Sequence, residues 1–127
     1  MKNNPVVWFE IYVKDMPRAK KFYEGVFKAS LEKMTAPDST DGLEMYGFPG
    51  DMTTMGASGA LCKMQGFNPG SNSTVVYFGC DDCGVEEKRV KEFGGKVEKS
   101  KFSIGQYGNI ALVYDSEGNM IGLHSMK

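Results

Sequence analysis

The sequence predicts an α+β fold made of two tandem βαβββ modules within a single domain, and three observations carry that expectation. First, a strand–turn–helix unit over residues 7–28 returns in degenerate form over residues 75–95. Asp82 stands 67 residues after Asp15, and Val90 and Phe93 take the places of Tyr23 and Val26. Second, the closing strands match: GALCKM at 59–64 overlays IGLHSM at 121–126, setting Ala60 against Gly122 and Cys62 against His124. Third, 127 residues of which 41% are hydrophobic suffice for one sizeable core, so the two halves must share it. Module one spans about residues 5–65, a linker about 66–73 and module two about 74–127.

In chain order, Pro5 stiffens the approach to a strand over 6–13. Alternation assigns its faces: Val7, Phe9, Ile11 and Val13 on one side, Trp8, Glu10 and Tyr12 on the other. The odd-numbered set is uniformly apolar and belongs under the next helix; the even-numbered set must face something else. Asp15 is the expected N-cap and Pro17 sits in the first turn, where a missing N–H costs nothing. Met16, Ala19, Phe22, Tyr23 and Val26 then recur at helical spacing to about Phe27. A short strand at 30–35, a polar turn, and strands at 43–48 and 60–64 complete the first half. The Gly- and Met-rich loop between them carries Met52 and Met55, either as core plugs or as a pocket lid.

The second half repeats this order, with a strand at 73–79, a helix at 84–93 stopped by Gly94 and Gly95, and strands at 96–100, 107–114 and 120–126. Asp115 and Gly118 supply the last turn, DSEGN.

Composition removes several classes of function. Fifteen basic and sixteen acidic residues leave a net charge of −1 with no long run of either sign, so neither nucleic acid nor a membrane surface is an expected partner. The chain contains no signal-like start and no apolar stretch of membrane-spanning length, which makes a soluble cytoplasmic protein the expectation. Three cysteines, an odd number, fit reduced thiols. Cys80 and Cys83 form a C-x-x-C, but each sits where an element needs a small apolar residue, and two aspartates between them disfavour a thiolate. Core packing is the expected role. The loop GQYGN at 105–109 is an ordinary connection or a ligand contact through Gln106 or Asn109.

The motifs V-x-D-M-x-R-A-x-x-F-Y at 13–23 and D-x-x-G-N-x-I-G-L at 115–123, within paired βαβββ modules, resemble the vicinal oxygen chelate superfamily, which includes glyoxalase I, bleomycin-resistance proteins and extradiol dioxygenases. The resemblance covers nearly the whole chain and implies two sheets curving into an incomplete barrel, a homodimer, and a small-molecule ligand inside. It also implies a divalent metal held by His, Gln or Glu on the first and last strand of each module. Carried over residue by residue, those four positions are Trp8, Ala60, Val75 and Gly122, none of which can bind a metal. The expected cofactor is therefore none.

One step along the same strand faces stands a second ring, Glu10, Cys62, Tyr77 and His124, expected to look into one cavity. Glu10 and His124, the only histidine, are the candidate catalytic residues as a hydrogen-bonded pair that exchanges a proton or holds a polar ligand group. The alternative is that they satisfy each other or the backbone within a polar part of the core. Trp8, Tyr12, Tyr77, Cys62 and Phe48 or Met55 are the candidate ligand-binding residues. The expected function is metal-independent binding of a small, partly aromatic molecule. The alternatives are a glyoxalase-like lyase or isomerase using Glu10 and His124, with or without a relocated metal on Glu10, Cys62 and His124, and a module that only mediates protein association.

Overall fold

The structure is a computed structural model that describes residue 6, residues 8–35, 42–51, 53–70 and 72, and residues 74–127. Pro5, Val7, Met52, Ser73 and most of the polar turn before residue 43 lie outside the described residues. The elements run β1 (Trp8–Tyr12), α1 (Met16–Phe27), β2 (Glu32–Met34), β3 (Glu44–Gly47), β4 (Ser58–Lys63), β5 (Val76–Gly79), α2 (Cys83–Val90), β6 (Lys96–Ser103), β7 (Asn109–Tyr114) and β8 (Met120–Ser125). The order βαβββ thus occurs twice. Differences from the sequence reading are confined to ends: α2 stops at Val90 rather than at 93, and β6 runs on to Ser103.

Two four-stranded mixed sheets result, ordered β1-β4-β3-β2 and β5-β8-β7-β6, the second repeating the first strand for strand. In each, the module's first strand lies parallel to its last, Glu10 opposite Ala60 in one and Tyr77 opposite Gly122 in the other. The remaining pairings are antiparallel. No closed barrel forms.

Local sequence explains α1. Asp15 Oδ1 accepts the Arg18 backbone N–H at 3.0 Å, one of the donors that a helix start otherwise leaves unpaired. Met16, Ala19, Phe22, Tyr23 and Val26 are its buried face. That face meets Ile11, Val13 and Leu61 of module one and Ala111, Val113, Ile121 and Leu123 of module two in one continuous core. Each fully buried Phe or Val there contributes roughly 1.5–3 kcal/mol relative to exposure. An aromatic cluster ties the halves together: Phe9 meets Phe78 edge-on at 5.9 Å, and Phe27 stacks on Phe78 at 4.7 Å. Both sheets therefore turn their helix-side faces toward the shared core. Their other faces point outward.

The three cysteines are free, Cys62 and Cys83 buried and Cys80 half-buried. Burial, reinforced by Glu86, pushes the Cys80 thiol up to about 12, so it is not a thiolate at neutral pH. The packing role expected for Cys80 and Cys83 agrees with their place in or against the main core.

Candidate functional site

The outward face of module one is built by the alternation of β1. Ile11 and Val13 enter the core, while Trp8 and Tyr12 emerge on the other side with Met34 and Leu43, over buried Met45, Ala60 and Cys62. Small side chains at 60 and 62 leave room for the two large rings. Between those rings stands Glu10, exposed and oriented by both neighbours: Trp8 Nε1 donates to Oε2 at 3.2 Å, and the Tyr12 hydroxyl donates to Oε1 at 2.8 Å. Residues i and i+2 share a strand face, which is why one carboxylate can be held from both sides. Phe67 extends this surface by stacking on Tyr12, with centroids 4.6 Å apart and planes 18° from parallel. Beside Glu10 and Tyr12 opens a cavity of about 230 Å³, bordered by Asn68, Asn72, Thr74 and Met120.

The expected Glu10–His124 pair does not form. Glu10 is engaged by Trp8 and Tyr12, and His124 Nε2 lies 2.7 Å from the Tyr107 carbonyl oxygen. Within one chain the two side chains are thus engaged separately, although the cavity beside Glu10 is lined by both modules, with Thr74, Val76, Met120 and Ile121 from the second. Nor do Cys62, Tyr77 and His124 line the cavity beside Glu10. Cys62 is fully buried beneath the β1 side chains, its thiol pushed up to about 12 by burial and then by the charge of Glu10. Tyr77 is 49% exposed on the face of module two.

Two other expected lining residues are also elsewhere. Phe48 packs its ring against Phe9, Tyr23 and Phe78 at 5.4–5.7 Å, because period two sends Tyr46 and Phe48 into the core and Met45 outward. Half-buried Phe48 also lines a groove of about 370 Å³ with Trp8 and Met34. Met55 is 92% exposed at the tip of a loop whose start is set by Asp51, which accepts from the Thr53 backbone N–H and hydroxyl. It does not plug the core.

The positions that the family's metal would require offer no suitable side-chain ligand. Ala60 and Gly122 are buried in β4 and β8, and Trp8 gives only an indole N–H, already donated to Glu10. At Gly122 the space is taken as well, since a Cβ there would collide with the Tyr77 ring. Among the described residues, no three His, Cys, Asp or Glu side chains gather as a metal site. The residues present do not fit the group.

Sequence reading missed two features. One is Phe67, the lone aromatic in the Gly-, Asn- and Pro-rich linker, whose isolation there is the available signal. The other is a polar clasp between modules formed by the turn at 115–119. Buried Asp115 accepts the Tyr23 hydroxyl at 2.7 Å, the Glu117 and Asn119 backbone N–H groups at 2.8 Å each, and Asn119 Nδ2 at 3.1 Å. Asn119 Nδ2 also donates to the Tyr12 carbonyl at 3.0 Å, tying the clasp to β1. Glu117 accepts the Lys14 and Asp15 backbone N–H groups and both Nε and Nη2 of Arg18. Burial raises the pKa of Asp115 above the usual carboxylate range. For Glu117 burial also pushes upward, but Arg18 and the surrounding N–H donors prevail and hold it at about 2.

With fold and site in view, residues 6–123 match the Glyoxalase/Bleomycin resistance protein/Dioxygenase superfamily, and the chain belongs to it. Among solved structures, glyoxalase I from Zea mays (the V278E mutant) is similar with a TM-score of 0.70 and 21% identity over 96% of this chain and 46% of that one. This chain thus spans about half the length of the maize protein. Glyoxalase I from Leishmania major is similar with a TM-score of 0.70 and 16% identity, over 98% of this chain and 88% of the other. TnmS3, an antibiotic binding protein from Streptomyces sp. CB03234, gives a TM-score of 0.64 and 25% identity over 98% of both chains. No curated protein matches by sequence. No helix among the described residues is long and apolar enough to cross a membrane.

Proposed function

We propose that this protein binds a small, partly aromatic molecule on the β1 face without a metal. The observation that carries this reading is the set Trp8, Glu10, Tyr12 and Phe67: aromatic surface and one oriented polar group, next to a cavity and packed over buried Met45, Ala60 and Cys62. Flat rings at fixed positions favour stacking, and a carboxylate already held in place needs little further ordering when a ligand arrives. The likeness to an antibiotic binding protein over 98% of both chains is consistent with binding rather than turnover. A lyase or isomerase in which Glu10 and His124 cooperate lacks comparable support, because each is engaged elsewhere.

The reading includes a homodimer, since Tyr77, Tyr107 and Met126 leave apolar surface exposed on module two. Light scattering should then give twice the mass of one chain. A cytoplasmic setting accords with three free cysteines.

Trp8, the only tryptophan, reports binding directly. Titration with the neutral probe N-phenyl-1-naphthylamine should quench its fluorescence saturably, before and after dialysis against a chelator. In calorimetry, Trp8→Ala should weaken the probe most and His124→Ala little. Binding that is lost on chelation and restored by zinc or nickel, or the reverse ranking of the two variants, would overturn the reading.

A further inference from the structure

The carboxylate of Glu10 is exposed between two rings, while Glu32 and Lys33 border the groove beside Trp8. The Glu10 partners Trp8 and Tyr12 are neutral, and so is Cys62 beneath it; burial and Glu10 hold the Tyr12 phenol and the Cys62 thiol each at about 12. The ion pairs among the described residues engage Glu117, Glu86 and Asp82, not Glu10. An exposed carboxylate has about four lone-pair sites, and its two protein hydrogen bonds leave the rest for a ligand. Trp8 and Tyr12 flank it, each bonded to it through its polar edge, and Phe67 stacks on Tyr12; the faces of such rings attract cations and repel anions. Charge and rings therefore select for the same kind of molecule.

We infer that the β1 face selects an organic cation, a protonated amine or amidinium attached to a flat aromatic body, with Glu10 taking its N–H donors and Trp8, Tyr12 and Phe67 its ring. The inference rests on the binding reading above and adds the ligand's charge. A cationic N–H donor makes a charge-assisted hydrogen bond to Glu10 that a neutral ring lacks, while an anion meets an uncompensated negative group.

Three probes with one ring system separate charge from stacking: 9-aminoacridine, a cation at neutral pH; acridine, neutral in mildly alkaline buffer; and acridine-9-carboxylate, an anion. Calorimetry should rank them in that order, the cation about tenfold tighter than acridine, as expected for one charge-assisted hydrogen bond. Glu10→Gln should reduce 9-aminoacridine to the level at which the same variant binds acridine. The variant tests charge with little change of shape, because the Tyr12 hydroxyl can turn to accept from the new amide while Trp8 Nε1 still donates to its oxygen. Tyr12→Phe keeps the charge and should keep the preference. Equal affinities for the three probes, or a cation preference that survives Glu10→Gln, would overturn the inference while leaving aromatic binding standing. Failure of all three to bind would sink the binding reading and this inference with it.

Discussion

Modules one and two share βαβββ element order, strand order and the parallel register of first strand on last, yet they differ where they touch anything beyond themselves. The connection before β4 is an exposed loop held by Asp51 and two threonines, with Met55 in solvent. Its counterpart before β8 is the buried turn at 115–119, which grips α1 and β1 of the other module. The outward faces differ as well: in module one Glu10 is exposed and held between two rings, whereas in module two the Tyr77 ring covers Gly122. Repetition accounts for the scaffold, and departures from repetition carry the clasp and the candidate site.

Breaking the clasp should have the largest effect. Asp115→Ala strands the Tyr23 hydroxyl and several N–H donors in a buried place, so a loss of about 3–4 kcal/mol in denaturant unfolding is expected. The counterpart change, Asp51→Ala, should leave the midpoint nearly where it was, since its partners are exposed to water. Equal losses from the two variants would erase the proposed asymmetry.

Acid should expose the same difference. Glu117 is held at about 2 when folded, against an ordinary value near 4.5, so the folded state binds this proton less readily. Its contribution is complete above about pH 4.5 and disappears as pH falls toward 2, on the order of 2–3 kcal/mol. Raised Asp115 acts in the opposite sense, its cost growing as pH rises through the range above 3.8. Melting temperature measured across acid pH should fall less steeply in Glu117→Gln than in the parent protein.

The outward face of module two provides a smaller test. Gly122→Ala pushes the Tyr77 ring aside; because that ring is half exposed, about 1–2 kcal/mol is expected. The added change Tyr77→Ala should recover part of it, as a double-mutant cycle of unfolding free energies would show. Smallest is a gain. Helix α1 ends on Lys28 at φ 53°, a left-handed position that the second helical region gives to Gly94 at φ 98°. Lys28→Gly should therefore stabilise by about 0.5 kcal/mol, read as a raised unfolding midpoint.

Local patterns carried much of the fold into the sequence. The alternation from Phe9 to Val13 announced which side of β1 meets the core, Asp15 announced the start of α1, and the spacing of Met16 through Val26 announced its buried face. Trp8, Glu10 and Tyr12 were legible as a shared face for the same reason, since two-residue periodicity is a property of the strand itself. Phe67 lacks any such periodicity, and its stacking on Tyr12 depends on the path of the linker.

The sequence by itself thus determined two βαβββ units and their apolar faces, both consequences of residue type at short, regular spacings. Only the tertiary structure decided that Glu10 and His124 would part, that Phe48 would turn inward, and that Asp115 would reach Tyr23, 92 residues away in the chain. Those outcomes follow from how two similar units bury apolar surface against each other, and that packing is set by the whole core at once rather than by any segment of it.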